Sequence, residues 1–332
     1  MQLNTKMINA LESTYICLVL TFTLTMNVLL LTFLKNRYSY INISILFNAS
    51  ISLCEILQVT LGYVPDLLAQ LGVIKVTTSE SGSWVCIGSS MLTFILAVVI
   101  LMHFLVLSVS RILALKYPVF YISTFSKRWL AILLLILCYI YGVSWPVLPL
   151  FKWSKYAKDI DGKRCSLDWR LEQKDSFSYI ICVILFAFIL PLVTIFVLLF
   201  CKKYAIIVNQ NSPSRKRHSS IEYQKKIKGL EKKYFNMAAA STILYTIAWS
   251  PYAVIGFLSI LNRTIPSLVS TSAALFAKLS ASINPIVNIW FNWEFRNFIF
   301  SLKSIRFLKK FFCKNTERQE SLTSSRNQCT NV

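Results

Sequence analysis

Apolar residues along this chain fall in long blocks separated by short polar stretches, with none of the alternation that half-buried strands need. A helix needs roughly 20 mostly apolar residues to cross about 30 Å of hydrocarbon. The blocks predict seven membrane-spanning helices, over 11–34, 41–68, 84–113, 128–151, 176–202, 232–260 and 266–290. A weaker pattern follows. Phe295, Phe298, Ile299, Leu302, Ile305 and Leu308 recur at helical spacing, interleaved with Arg296, Lys303 and Arg306, which predicts an amphipathic helix on the membrane surface. The expected fold class is therefore all-α. Residues 1–14 form a short segment before the bundle, 15–291 the seven-helix domain, 292–312 the surface helix, and 313–332 a polar, Ser- and Thr-rich tail expected to be disordered.

Length alone would allow two soluble domains. A hydrophobic fraction of 55% gathered in blocks describes one membrane domain instead. The net charge of +21 would suit a nucleic-acid binder, but its location argues against that partner. Lys202, Lys203, Arg215, Lys216, Arg217, Lys225, Lys226, Lys228, Lys232 and Lys233 follow the fifth block, with Glu222 and Glu231 as the acids among them. Lys116, Lys127 and Arg128 follow the third, and Lys303, Arg306, Lys309, Lys310 and Lys314 lie in the tail. All of these share one face of a seven-span arrangement. On the other face Asp159, Asp161, Asp168, Glu172 and Asp175 offset the local bases. The positive face is expected to be cytoplasmic, with the N-terminus outside. The run Tyr15–Leu34 is too long for a signal-peptide core and reads as the first span.

Cys17, Cys54, Cys138 and Cys182 lie inside apolar blocks and suit packing. No CxxC occurs and His103 and His218 stand alone, so no metal site is expected. The chemistry-bearing residue is Lys278, with apolar runs on both sides. A charged side chain at mid-membrane costs at least about 2.5 kcal/mol on insertion scales, so such a residue reads as functional by default. Beyond Glu55 and Lys278 the spans carry almost no charge, which argues against a transporter or channel.

The motifs add a family resemblance. Ser110-Arg111-Ile112 followed by Leu115-Lys116-Tyr117-Pro118 resembles the E/D-R-Y…YP signature of rhodopsin-like G-protein-coupled receptors. Ala248-Trp249-Ser250-Pro251-Tyr252 resembles their CWxPY, and Asn284-Pro285-Ile286-Val287-Asn288 their NPxxY. Asn27 and Pro191 stand where spans one and five carry marker residues. Asn292-Trp293-Glu294-Phe295-Arg296-Asn297 resembles the NKQFRN run of opsins, and Phe276-Ala277-Lys278-Leu279-Ser280-Ala281 followed by Asn284-Pro285 resembles their FAKxSAxxNP. In order and on the expected spans, these motifs cover almost the whole chain and resemble the opsin family, of the non-visual or invertebrate type.

The resemblance implies a light-sensing receptor rather than an enzyme. It implies a retinal Schiff base at Lys278, with Trp249, Tyr252 and Phe188 lining the pocket and a disulfide between Cys86 and Cys165. Where vertebrate visual pigments place a glutamate, three residues after the span-three cysteine, this chain has Ser89. Asp159, six residues before Cys165, matches a second-loop acid of other opsins and is the expected counterion, with Asp161 and Glu55 as alternatives. The implied switch runs from retinal through Trp249 to the Pro251 kink. Arg111 would be held by Glu231 when closed and would meet a heterotrimeric G protein when open, with Asn284, Pro285 and Asn288 in the same network. Arrestin and a receptor kinase are implied partners; Ser212, Ser214, Ser219, Ser220, Ser321, Thr323, Ser324 and Ser325 suit phosphorylation. The implied place is a plasma or photoreceptor membrane. The chain departs from the pattern at Ser110, at Leu53 (where the span-two aspartate aligns) and at Asn288. A receptor for a different ligand and a retinal photoisomerase with little signalling stay open as alternatives.

Overall fold

Six helices in the described residues are long and apolar enough to cross a membrane: Met7–Arg37, Ile43–Leu68, Ile87–Ala114, Arg128–Phe151, Ser176–Leu198 and Lys233–Ile260, spans one to six. The structure, a computed structural model, describes residues 2–37, 43–71, 73, 84–125, 127–162, 164–198, 200, 221–261 and 264–302. It divides into two units, Met1–Val287 and Asn288–Val332. The seventh predicted span is present as three consecutive pieces: Ser267–Lys278, a 3-10 turn Leu279–Ser282, and Ile283–Phe291. The α-helix therefore breaks at Lys278. Two local causes are at hand. The Ser282 hydroxyl donates to the Leu279 carbonyl at 2.7 Å, and Pro285 removes the N–H that would have bonded Ala281.

In hydrocarbon an unsatisfied backbone group costs several kcal/mol, so each proline needs a substitute donor. Asn27 Nδ2 donates to the Ala281 carbonyl at 3.2 Å. In span six, the carbonyl that Pro251 cannot serve, Ile247, accepts the Ser250 hydroxyl at 2.9 Å. Spans two and five each contain a wider π-helical segment ahead of, or running up to, a proline: Gln58–Tyr63 before Pro65, and Val183–Ile189 before Pro191. In span five the Phe186 carbonyl accepts the Tyr141 hydroxyl at 2.7 Å.

Spans three and four pack where Gly142 has no side chain; a Cβ there would collide with Val99 Cγ2 and lie 3.1 Å from the Val99 nitrogen. Small residues let membrane helices approach closely in this way. Ser50, His103 and Tyr139 join spans two, three and four. His103 Nδ1 donates to the Val99 carbonyl at 2.6 Å, and Nε2 accepts from the Ser50 hydroxyl at 2.9 Å. The Ser50 oxygen then accepts from Tyr139 at 2.9 Å. His103 is a satisfied core residue, and no group of three His, Cys, Asp or Glu that could hold a metal occurs among the described residues.

The segment between spans four and five forms a short antiparallel hairpin, β1 (Tyr156–Lys158) with β2 (Cys165–Leu167), in which Lys158 faces Cys165. Gly162, at φ +71°, supplies the left-handed residue its turn needs. In the second unit a helix runs from Trp293 to Ser301, with Phe295 buried and the Arg296 guanidinium 5.1 Å from the centre of the Trp293 ring. The remainder of the predicted surface helix and the tail lie outside the described residues.

Candidate functional site

Lys278 is 5% exposed, and its ammonium donates to Asp66 Oδ2 at 2.9 Å. The same nitrogen sits 4.0 Å from the centre of the Tyr63 ring, close enough for cation–π attraction. Both partners come from span two: Tyr63 closes the π-helical turn and Asp66 follows one helical turn later. Gly62 brings that turn against span three, where an added Cβ would strike the Thr93 hydroxyl.

Lys278, Asp66 and Tyr63 together line a cavity of about 180 Å³. Its walls are aromatic, and Trp249, Tyr252 and Phe188 are among them. Trp249 and Tyr252 meet edge to face at 6.2 Å, and Trp169 meets Tyr252 in the same way at 5.6 Å. Ser89 also lines the cavity, which therefore has no carboxylate on span three.

The β1–β2 hairpin covers the cavity. Cys165 is disulfide-bonded; the side chain of its expected partner, Cys86, lies outside the described residues. Trp169 Nε1 donates to the Tyr252 hydroxyl at 3.0 Å, and the Tyr252 hydroxyl donates to Asp159 at 3.2 Å. Thr271 of span seven donates to Asp161 at 3.0 Å, and Arg164 pairs with Asp161. Gly256 lies directly under the Trp169 ring, with 2.6 Å between Trp169 Cζ3 and where a Cβ would stand. The lid is thus tied to spans six and seven by side chains and by shape.

Asp159 lines this cavity but is turned to Tyr252 and to the Ile160 amide, whose N–H donates to it at 2.7 Å. Burial raises its pKa above the ordinary carboxylate value; the Asp161 charge adds to the rise, and the Ile160 amide, Arg164 and Tyr252 oppose it. A carboxyl whose folded-state pKa is raised costs stability as pH climbs from its ordinary value through the raised one. Asp159→Asn removes that cost and keeps an oxygen for Tyr252. The variant is expected to melt with the native chain near pH 4 and about 1–3 °C above it at pH 7, by thermal denaturation of the purified apoprotein across pH. A difference that does not change with pH would contradict this.

The model of the family described as "7 transmembrane receptor (rhodopsin family)" matches residues 26–288. The chain belongs to the rhodopsin family of seven-transmembrane receptors. The family is one of receptors rather than enzymes. Among the chain's relatives are Opsin-3 of Mus musculus, 26% identical over 190 residues (57% of this chain, 46% of that one), and visual pigment-like receptor peropsin of Homo sapiens, 28% identical over 163 residues (48% and 46%). The chain spans about half the length of the curated relatives it matches. The fold matches a crystal structure of squid rhodopsin with a TM-score of 0.76 at 19% identity, covering 96% of this chain and 92% of that one. This rhodopsin-like receptor, similar to opsins, is a multi-pass membrane protein.

At the other end of the bundle Arg111 is 9% exposed. It donates to the Ser44 hydroxyl and stacks 4.9 Å from the centre of the Tyr234 ring on span six. Ser110, where the family pattern has an acid, instead donates to the Leu107 carbonyl at 2.7 Å. The Glu231 side chain, expected to hold Arg111, lies outside the described residues. Asn284 donates to the Ser52 hydroxyl at 3.0 Å, and Asn288 is buried. Leu53 is 47% exposed and faces outward, whereas Glu55 is 1% exposed, with Asn27 and Asn284 as its polar neighbours. Glu55, two residues beyond Leu53, is thus an acid that this part of span two turns inward.

Asp66 is the residue that motif matching overlooks. It corrects the expectation that the spans hold almost no charge beyond Glu55 and Lys278, because it falls inside the predicted range 41–68. The intramembrane-charge rule that singles out Glu55 also applies to Asp66.

Proposed function

We propose that this receptor senses light through retinal bound covalently at Lys278 and signals to a heterotrimeric G protein. The observation that carries the reading is a buried primary amine lining an aromatic-walled cavity under a tied lid. The donor set suits the ligand: an amine desolvated in an apolar site is a good nucleophile toward an aldehyde, and aromatic walls bury a long conjugated chain. Retinal, when bound, supplies that aldehyde and a chain that changes shape on absorbing light.

This chain's residues do the rest. Lys278 fixes one end of the ligand, while Trp249 and Tyr252 wall the cavity from span six. Pressure on Trp249 acts two residues from Pro251, where the Ser250 hydroxyl already serves the freed Ile247 carbonyl. One ladder bond is already missing there, which lowers the resistance to bending. At the far end, motion of span six would draw Tyr234 away from Arg111, the side chain that would meet the G protein. A cation–π contact of this kind is worth about 0.5–2 kcal/mol, enough to bias a closed state without locking it. The basic segments lie with Arg111 on the cytoplasmic side in this reading, and the lid faces outside. The Cys86–Cys165 bond then lies on the oxidising side. Arrestin and a receptor kinase would meet the segments around Ser212–Ser220 and the tail, outside the described residues.

A second reading, a receptor for a non-covalent ligand with an acceptor group, draws on Arg164. It lines the cavity at 6% exposure, and its Nε and Nη1 have no hydrogen-bond partner among the described residues. Reconstitution of the purified chain with 11-cis-retinal separates the two. A visible band that shifts on illumination, with light-dependent nucleotide exchange on an added G protein, supports the first reading. No band at any pH sinks it, and a light-shifted band without exchange leaves a photoisomerase.

A further inference from the structure

We propose that Asp66 of span two is the counterion of the positively charged nitrogen at Lys278, with the Tyr63 ring as a second stabilising surface. This deepens the retinal reading and rests on it.

The geometry separates Asp66 from every other acid near the cavity. Asp66 Oδ2 is 2.9 Å from the Lys278 nitrogen, and both side chains are largely withdrawn from solvent, at 17% and 6% exposure. Asp159 spends its oxygens on the Tyr252 hydroxyl and the Ile160 amide. Asp161 is taken by Arg164 and Thr271. Glu55 lies on the same helix as Asp66 but does not line the cavity.

The backbone explains how span two serves two faces. Asp66 follows Glu55 by eleven residues, about three α-helical turns, so in a straight helix both would point the same way. The π-helical turn Gln58–Tyr63 intervenes, with Val64 N–H bonded to the Val59 carbonyl, five residues back. One extra residue in a turn rotates everything beyond it by about 100°. Glu55 thereby stays with Asn27 and Asn284, and Asp66 swings to the cavity. Tyr63 and Asp66, three apart, share the new face. Such π turns are frequent at functional sites.

The chemistry needs this placement. Condensation of the Lys278 ammonium with an aldehyde forms a C=N bond. The carbonyl oxygen leaves as water with two of the three nitrogen protons, and one N–H and the positive charge remain on nitrogen. A single donor in an apolar site requires an acceptor carboxylate within direct reach, and a cation there also gains from an aromatic face.

The test uses the full chain reconstituted with 11-cis-retinal, and the apoprotein alongside. In Asp66→Asn the visible band at pH 7 is expected to give way mostly to near-ultraviolet absorption, because the nitrogen no longer holds its proton. Asp66→Glu restores the visible band. Asp159→Asn leaves the nitrogen protonated, so its band at pH 7 stays in the visible wherever its maximum falls. Tyr63→Leu weakens the visible band more than Tyr63→Phe does. In the retinal-free Asp66→Asn apoprotein, formaldehyde and cyanoborohydride are expected to methylate Lys278 several-fold faster at pH 7 than in the native chain, located by peptide mass spectrometry. A native visible band that Asp66→Asn leaves unchanged, with an unchanged methylation rate, overturns the counterion assignment and leaves the retinal reading standing. No band in the native chain overturns both. A band lost in both Asp66→Asn and Asp66→Glu, in protein that elutes as a monodisperse peak, also counts against the assignment.

Discussion

Lys278→Arg is expected to abolish the visible pigment completely while leaving the protein folded. Arginine keeps a cation opposite Asp66, whose carboxylate lies 2.9 Å from the native ammonium, so the buried acid is not orphaned. Its guanidinium stays protonated in proteins and is no nucleophile. The substitution therefore removes bond formation and spares electrostatics. The check is a pair of measurements on one preparation: an absorption spectrum after incubation with 11-cis-retinal, and the elution profile and melting curve of the apoprotein. Loss of colour with native elution supports covalent attachment at this residue. A visible band in the variant would place the chromophore elsewhere or make it non-covalent, and borohydride reduction followed by peptide mapping would say which.

The second large effect is expected at Cys165. Its disulfide anchors β2 of the lid. Removing a native disulfide typically costs about 2–5 kcal/mol, so Cys165→Ser is expected to lower the melting temperature by several degrees or more. The lid also shields the cavity, so the variant's pigment should bleach in hydroxylamine much faster in the dark than the native pigment. A variant with unchanged melting and bleaching would mean that Trp169, Asp159 and Asp161 hold the hairpin without help.

Much of this was legible in the sequence because hydrocarbon thickness imposes one length on every span, and apolar runs of that length are hard to hide. The motif at Lys278 was legible for a related reason, since a lysine between apolar runs has no inexpensive explanation. Three features were not legible. The break in the seventh span follows from Ser282 and Pro285 acting on one turn, and hydropathy averages over such a turn. The π turn in span two changes the helical phase by one residue, and a segment that is apolar nearly all round carries no phase to read. That is why Asp66 escaped notice although it lies within the predicted span. The same lack of phase hides that Leu53 faces outward while Glu55 is buried. Finally, the Arg111–Tyr234 contact joins residues far apart in sequence and depends on how two spans pack.

The fit between Trp169 and Gly256 carries one more consequence. The indole lies where a methyl group on residue 256 would have to be, 2.6 Å from Cζ3. The two positions therefore cannot drift independently. A side chain at 256 would have to displace the ring at 169, and with it the indole N–H that steadies Tyr252. The sixth span thereby sets where the lid can rest.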